Sequence, residues 1–201
     1  MDENVKERLN QLFDFFRLID REKFIGRQTY LTDATRKEND AEHAWHMAVM
    51  TILLAEYSNE KIDVLRTIEM LLIHDLVEIY AGDTYAYDEE GLKTKESREL
   101  AAADKLYGGL PEDLGKKLRG LWDEFEAANT PEAKFAHTMD NIQPIMLNDA
   151  TDGKSWRERG VALHQIMKRN AHTADGSQTL WEYAYDTFIK KNVEEGNIRE
   201  E

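Results

Sequence analysis

The sequence predicts an all-α protein with a single domain, and three properties of the chain support this. Its 201 residues, 41% of them hydrophobic, suffice for one substantial core and correspond to one domain over residues 1–201. Only 3 prolines and 11 glycines interrupt the chain. Between these breaks, apolar residues recur every three or four positions, which is the period of an amphipathic helix.

Three helices are predicted before the middle of the chain. "DAEHAWHMAVMTILLAEY" predicts one with Asp40 as its N-cap and Glu42 in the first turn, where an acid is favourable. "SNEKIDVLRTIEMLLIHDLVEIY" predicts the next, after a Ser/Asn start. Both follow an opening helix whose apolar face is formed by Leu9, Leu12, Phe13, Phe16 and Ile19.

The helical period is lost after Gly82. Residues 83–94, "DTYAYDEEGLKT", carry polar and turn residues, which predicts a surface loop of the kind that often borders an active site. "NTPEAKFAHTMDNIQPIML" then predicts a helix with Thr130 as cap and Pro131 at its first position. "AHTADGSQ" is the predicted loop between the last two helices. The remaining helices are expected at about Lys95 to Tyr107, Pro111 to Ala128, Trp156 to Asn170 and Thr179 to Val193.

Composition excludes several classes of function. There is no cysteine, so disulfides and thiolate metal sites are excluded. No apolar run is long enough for a membrane helix, and "MDENVKERLNQLFDFF" does not read as a signal peptide; no membrane association and a cytoplasmic location are expected. The net charge of −14 argues against a nucleic acid polymer as partner. A small anionic substrate stays possible if cations cluster at its site.

The stretch "EMLLIHDLVEIYAGD", residues 69–83, places three polar groups inside an apolar run. His74, Asp75 and Glu78 fall within five positions and on a helix would lean toward one side. Because an unpaired buried charge costs several kcal/mol, they need a partner. A shared divalent cation would satisfy them, but the two ligands offered here are too few, so others are expected elsewhere in the fold.

Two other segments offer the missing ligands. "ENDAEHAWHMAV" contains His43 and His46, which are three apart and could both face inward, and "EAKFAHTMDNIQP" contains Asp140 at the edge of a buried stripe. Pro144 removes the helical hydrogen bond to the Asp140 carbonyl, so a kink that adjusts the aim of Asp140 is predicted there. An ordinary hydrogen-bonded or partly exposed role is expected of the histidines outside the cluster, His46, His137, His164 and His172.

A separated His, then His-Asp inside an apolar helix, then a distant Asp is the pattern of the HD-domain metal-dependent phosphohydrolases, and the chain resembles that superfamily. "KESRELAAADKLYGGLP" and "LWDEFEAANTPEAKFAHTMDNIQPIMLN" extend the resemblance to the 5′-deoxynucleotidase branch, over nearly the whole chain. It implies a helical bundle whose metal site is built from about 27–140, with C-terminal helices 156–193 packed on it. The implied ligands are His43, His74, Asp75 and Asp140.

The resemblance also implies an activity, removal of phosphate from deoxyribonucleoside 5′-monophosphates. Glu78 and Asp83 match the acids beside the metal, and either could handle the water or the leaving oxygen. The cofactor would be one divalent ion, with manganese, cobalt, magnesium and zinc all left open. The family forms dimers, so a homodimer is expected.

Substrate contacts are predicted more loosely. Arg27 in "KFIGRQTY" looks like the family's phosphate-binding arginine, although Gln28 stands where the family has tryptophan. Lys95 is a possible local cation, and Trp45 could pack against the deoxyribose. Further possible cations are Arg36, Lys37 and Lys93.

Three other functions stay open. A nucleoside triphosphate hydrolase would need more cations than the sequence obviously offers, and a nucleotide phosphodiesterase is a second enzyme of the same superfamily. A non-catalytic helical module, either metal-binding or an adaptor with a working acidic surface, belongs to a different class. The extra acids Glu78 and Asp83 argue against a purely structural site, whose coordination shell would not need them.

Overall fold

A computed structural model describes residues 1–85 and 88–201 of the chain. Helices dominate this part, which confirms the predicted all-α class. No helix within it is both long and apolar enough to cross a bilayer. In chain order the helices are Glu3–Ile19 (α1), Asp40–Leu54 (α2), Val64–Ile73 (α3), Glu78–Ala81 (α4), Glu89–Tyr107 (α5), Glu112–Ala127 (α6), Pro131–Ala150 (α7), Lys154–Arg159 (α8), Leu163–Arg169 (α9), Thr173–Gly176 (α10), Gln178–Ala184 (α11) and Lys190–Glu194 (α12).

A short antiparallel hairpin, which the sequence did not predict, precedes α2. Its strands are Gly26–Tyr30 (β1) and Lys37–Asn39 (β2), with Gly26 opposite Asn39. Strands of five and three residues are too short for their alternating period to stand out from the surrounding helical pattern. The hairpin matters because it delivers Arg27 to the start of α2.

The helix starts follow capping rules, with two corrections. α3 does not begin after the Ser/Asn pair at 58–59 but after Asp63, whose Oδ1 accepts a hydrogen bond from Arg66 N at 3.1 Å. The N-cap of α2 is Asn39 rather than Asp40: Asn39 Oδ1 accepts a hydrogen bond from Glu42 N (2.9 Å), and Glu42 Oε2 accepts one from Asn39 N (3.1 Å). This reciprocal capping box leaves Asp40 inside the helix and fully buried. The predicted cap of α7 is confirmed, since Thr130 Oγ1 accepts from Ala133 N at 3.2 Å.

The predicted long helix through the His-Asp motif is broken. α3 ends at Ile73, residues 74–77 form a 3₁₀ turn, and α4 follows. The predicted loop over 83–94 is also shorter, because Asp88 accepts a hydrogen bond from Gly91 N (3.1 Å) and α5 begins at Glu89. Residues 86 and 87 of that loop lie outside the described part of the chain.

The C-terminal region is more divided than predicted. The helix expected from Trp156 to Asn170 is split into α8 and α9 at Gly160, whose φ of 59° ends a helix. The helix expected from Thr179 to Val193 contains a π-helical turn over 185–189 between α11 and α12. The predicted loop "AHTADGSQ" contains the short helix α10.

The core surrounds α7, whose buried residues contact both α2 and α3. α1 packs through Phe15 (8% exposed) on a separate cluster that includes residues of α4 and α5. Leu12 and Ile19 of the predicted face pack there too, whereas Phe13 and Phe16 are 54% and 53% exposed. α1 carries two apolar stripes, and only the tertiary structure decides which is covered. α7 continues through Pro144, and the predicted effect of that proline on the aim of Asp140 stays a prediction.

Candidate metal centre

The 3₁₀ turn over 74–77 places the His-Asp pair at the end of α3. His74 is 5% exposed, and its Nε2 lies 3.1 Å from Asp75 Oδ1. In a straight α-helix adjacent side chains point about 100° apart. At the end of α3 the two side chains nevertheless reach the same point, as the 3.1 Å distance between them shows.

Two further helices bring the remaining predicted ligands to this point. His43 of α2 is fully buried, and its Nε2 lies 3.1 Å from Asp140 Oδ1 of α7. That carboxylate oxygen is also 3.9 Å from His74 Nε2. Ligand atoms of His43, His74 and Asp75 all lie within 4.8 Å of one another. The structure therefore brings together all four residues that the resemblance implied.

The hydrogen bonds of His74 test whether a cation fits here. Its Nδ1 lies 2.9 Å from Leu71 O, and because a carbonyl only accepts, Nδ1 must carry a hydrogen. His74 Nε2 then faces the carboxylate oxygens of Asp75 and Asp140, and makes no hydrogen bond to any described residue. An imidazole lone pair beside two carboxylates requires positive charge between them, either a proton or a cation. The donor set of imidazole nitrogen and carboxylate oxygen fits a divalent first-row ion.

The protonation states also suit cation binding. Burial and the charge of Arg27 lower the pKa of His43 to about 4, so this imidazole is neutral at pH 7. Burial alone would raise the pKa of Asp75, but His74 and Arg27 hold it below its usual range. Burial would lower the pKa of His74, yet Asp75 outweighs it and raises the value to about 9. A metal would have to displace that one proton.

Arg27 reaches the same centre from β1. Its Nη1 donates to Asp75 Oδ2 at 2.7 Å and lies 3.4 Å from Asp40 Oδ1. Its Nη2 is 4.0 Å from Asp140 Oδ1. Burial opposes the charged guanidinium, but these carboxylates outweigh burial and raise its pKa. Arg27 is therefore a fixed cation beside the predicted ligands.

The two predicted catalytic acids also face this region. Glu78 is 5% exposed, and burial, followed by the charges of Asp75 and Asp40, raises its pKa. Asp83 is half-buried, and burial together with Asp75 raises its pKa. Both are therefore biased toward holding a proton, as an acid catalyst requires.

A single cavity connects these groups. Its lining includes Arg27, Asp75, Glu78, Asp83, Lys95 and Asp140. Lys95, expected as a local cation, is on this wall and lies 3.5 Å from Glu99. The other suggested cations do not line it: Arg36 and Lys93 pair with Glu42 and Glu90, and Lys37 donates to Gln28, whose side chain is on the cavity wall.

The prediction for Trp45 is wrong. Its side chain is 65% exposed and does not line the cavity. Positions two apart on a helix point about 200° apart. Since His43 points inward, Trp45 must point outward, and neither a sugar contact nor a core position is compatible with that.

Sequence reasoning missed four site residues. Asp40 was assigned to a cap, and Glu38, Gln143 and Arg169 were not singled out. Arg169 of α9 lies 3.3 Å from Asp140 Oδ2 and lines the cavity. An acid in the first turn of a helix is common, so no local pattern distinguishes Asp40 as a site residue, and none marks the other three.

The histidines outside the cluster have ordinary partners or are exposed. His46 is half-buried with Nδ1 3.3 Å from Gln143 Nε2. His137 Nε2 donates to Phe125 O at 2.8 Å. His164 is exposed, and His172 pairs with Asp175 at the surface.

A helical bundle that converges two imidazoles and two carboxylates from three elements on one buried point belongs to the metal-binding helical domains. Comparison with known families agrees with this class. The model of the family described as HD domain matches residues 19–181, so the chain belongs to the HD domain family. The resemblance drawn from the sequence is confirmed at this level.

Individual relatives carry more specific names. The human 5′-deoxynucleotidase HDDC2 is 31% identical over 136 residues, which are 67% of this chain and 65% of that protein, slightly under two thirds of its length. The fission yeast 5′-deoxynucleotidase hdd1 is 28% identical over 65% of this chain and 67% of its own.

Among solved structures, a predicted metal-dependent phosphohydrolase from Magnetospirillum magnetotacticum MS-1 is similar over 96% of both chains, with 43% identity and a TM-score of 0.90. A conserved hypothetical protein from Pyrococcus furiosus, at 24% identity and a TM-score of 0.56 over 91% of this chain and 97% of its own, shares the fold.

Proposed function

We propose that this protein is a metal-dependent phosphomonoesterase that removes phosphate from deoxyribonucleoside 5′-monophosphates. One observation carries the proposal: a buried acid, Glu78, and a half-buried one, Asp83, line the same cavity as His74, Asp75 and Arg27. A structural metal site needs ligands only. Acids with raised pKa and a cation beside the metal are what phosphate ester hydrolysis uses, and the names of the relatives agree.

His43, His74, Asp75 and Asp140 would hold the metal. When bound, a divalent cation supplies a water whose pKa is lowered from about 15.7 toward about 7, and it offsets charge on the phosphoryl oxygens. The two carboxylates among the ligands formally cancel its charge. Other cations of the chain must therefore attract the phosphate.

Arg27 is placed to bind the phosphate. Its guanidinium lines the cavity, and the 2.7 Å contact with Asp75 keeps its side chain in one orientation. A planar guanidinium can donate two parallel hydrogen bonds to phosphate oxygens. Lys95 on the same wall adds a second positive charge.

Glu78 and Asp83 handle protons. Glu78 Oε2 is buried and makes no hydrogen bond to any described residue, so it would be available to accept a proton from the attacking water once a bound cation lowers the pKa of Glu78 and ionises it. Asp83, with its raised pKa, can protonate the leaving ribose oxygen. We assign these roles to the pair, since either acid could serve in either step.

The test is phosphate release from a panel of deoxy and ribo 5′-mono- and triphosphates. Protein stripped with a chelator is resupplied separately with manganese, cobalt, magnesium or zinc. Metal-dependent release from deoxynucleoside monophosphates is the expected result, and release from triphosphates alone would overturn it in favour of the rival hydrolase. His74→Ala should abolish release, whereas His172→Ala, a matched change at an exposed histidine, should leave it unchanged.

We also propose that the chain forms a homodimer through α2. Residues 43–55 contain no Asp, Glu, Lys or Arg in a protein with 33% charged residues, and the outer side of this helix is apolar and exposed. Depletion of charge is typical of the core of an interface, and a symmetric dimer would cover the same helix on both copies. The exposed side chains are Trp45, Val49, Ile52 and Leu53.

Sedimentation velocity tests this assembly. The wild-type protein should sediment as a dimer and Ile52→Glu as a monomer, because a charge would be buried at the interface. Phe24→Glu, a change at an exposed apolar residue outside α2 (81% exposed), is the matched control and should stay dimeric. A monomeric wild-type protein would contradict the proposal.

A further inference from the structure

Two buried polar side chains stand behind His43, on the side away from Asp140. Gln143 of α7 is 0% exposed and Glu38 of β2 is 2% exposed. His43 Nδ1 lies 2.9 Å from Gln143 Oε1, and Gln143 Nε2 donates to Glu38 Oε2 at 2.8 Å. This Glu38–Gln143–His43 chain connects the hairpin, α7 and α2 without solvent.

The partners of Gln143 decide the orientation of its amide. Burial raises the pKa of Glu38 to about 7, while Arg27 Nε, 3.6 Å from Glu38 Oε1, favours its ionised form, which only accepts hydrogen bonds. The second neighbour of Gln143 Nε2 is His46 Nδ1 at 3.3 Å, which accepts from the amide N–H in the tautomer of His46 that carries its hydrogen on Nε2. Both contacts place the NH₂ group on one side, so Gln143 Oε1 must face His43.

The orientation of the amide in turn decides the tautomer of His43. Gln143 Oε1 only accepts, so His43 Nδ1 must carry the hydrogen. The other oxygen of Glu38, 3.8 Å from His43 Nδ1, favours a hydrogen at the same atom. His43 Nε2 is left with its lone pair, and it faces Asp140 Oδ1 at 3.1 Å.

We propose that Glu38 and Gln143 are positioning residues, which hold His43 in the Nδ1–H tautomer so that Nε2 is available as a metal ligand. This rests on the ligand assignment made under the proposed function. Without these hydrogen bonds from Glu38 through Gln143, His43 could carry its hydrogen on Nε2 and donate it to Asp140. A His43–Asp140 pair in that form would bind no metal. Partners of this kind typically contribute 10–100-fold to metal affinity.

His74 provides an internal comparison. Its Nδ1 hydrogen is held by the backbone carbonyl of Leu71, which no side-chain substitution removes. Loss of the acceptor at Gln143 should therefore change the tautomer of His43 and leave that of His74 as it is. A general distortion of the site would affect both histidines.

Four variants distinguish the effect of the Glu38–Gln143–His43 hydrogen bonds from an effect of side-chain packing. Gln143→Leu keeps about the same volume but removes the acceptor, and Gln143→Glu places two carboxylates against each other. Glu38→Gln keeps an acceptor for Gln143 Nε2. The double variant Glu38→Gln/Gln143→Glu exchanges the two groups: Gln at position 38 donates to Glu at position 143, which accepts from His43.

Two measurements test these variants, the metal affinity and the tautomers of the histidines. Chelator competition gives the affinity for Zn²⁺ and Mn²⁺, and ¹⁵N-detected NMR of the metal-free protein at neutral pH reports which nitrogen of each histidine carries the hydrogen. We expect the Nδ1–H form of His43 in the wild type, an affinity about 10–100-fold lower in both Gln143 single variants, near wild-type affinity in Glu38→Gln, and recovery in the double variant.

The proposal is overturned by an Nε2–H tautomer of His43 in the wild type, by unchanged affinity in Gln143→Leu, or by a double variant that folds by circular dichroism and does not recover. Neither readout requires turnover. Metal binding with this pattern but no phosphate release would refute the proposed reaction alone.

Discussion

Replacing Arg27 tests the electrostatic design of the centre most directly. Its guanidinium lies within 2.7 to 4.0 Å of oxygens on Asp75, Asp40, Glu38 and Asp140, and its side chain is 16% exposed. Methionine at this position has similar length and no charge. We expect Arg27→Met to destabilise the metal-free protein, because several buried carboxylates lose their counterion.

The size of the effect follows from burial. Removing one partner of a buried ion pair typically costs about 3–5 kcal/mol of unfolding free energy. Arg36→Met is the matched control: Arg36 is 54% exposed at its side chain and forms an ion pair with Glu42, and exposed pairs contribute about 0–1 kcal/mol. The two arginines of one hairpin should therefore differ severalfold in their effect.

The difference in unfolding free energy between Arg27→Met and Arg36→Met should also depend on pH. Burial, followed by the charge of Asp75, raises the pKa of Asp40 to about 8, and burial raises that of Glu38 to about 7. When an acid has a higher pKa in the folded than in the unfolded protein, the protein loses stability as the pH rises from the unfolded to the folded pKa. Without Arg27 the two acids hold their protons more tightly still. The destabilisation by Arg27→Met should therefore grow from pH 6 to pH 9.

Urea denaturation of both variants and the wild type, with and without added metal, measures these quantities. Added metal should stabilise Arg27→Met more than the wild type, because the cation replaces the lost positive charge and no longer competes with the guanidinium. Equal destabilisation by the two arginine variants, or a gap that narrows as pH rises, would refute the reasoning.

Three further predictions concern the buried acids. Glu78→Gln should retain metal by chelator competition but lose phosphate release by about 10²–10⁴-fold; loss of the metal would make Glu78 a ligand instead. Asp83→Asn should remove the alkaline limb of the pH–rate profile, and an unchanged profile would exclude it as the acid. Glu22 is 8% exposed, and burial, followed by the charge of Asp75, raises its pKa to about 7, so ionisation costs stability between about pH 4.5 and 7. Glu22→Gln should therefore be more stable than the wild type at pH 8, by at most about 3 kcal/mol, and equal to it at pH 4; equal urea midpoints at both pH values would contradict this.

Local patterns in the sequence determined much of the molecule. Helical periodicity is a property of neighbouring residues, and it predicted the class and most helix starts, including the Thr130 cap. The "IHDLVE" stretch predicted a shared partner such as a cation without any tertiary information, because three ionisable groups in an apolar run must be neutralised or hydrogen-bonded. Hydrogen bonding between near neighbours can be inferred from the chain alone.

Other features were decided by the tertiary structure. Whether Trp45 faces the site or the outside depends on which side of α2 packs on α7, and an apolar helix such as α2 offers several sides. The stripe of α1 that packs inward, through Phe15, was ambiguous for the same reason. The sequence shows which side chains are apolar, but not which side of each helix packs on the core.

The site itself shows the same division. His74 and Asp75 are adjacent in the chain, so the sequence alone shows that they lie close together. Gln143 meets His43 across 100 positions and Glu38 across 105, and its contacts arise only when α7 packs against α2 and the hairpin. Chemistry carried by neighbouring residues can thus be predicted from sequence, whereas partners that support it from distant elements depend on packing.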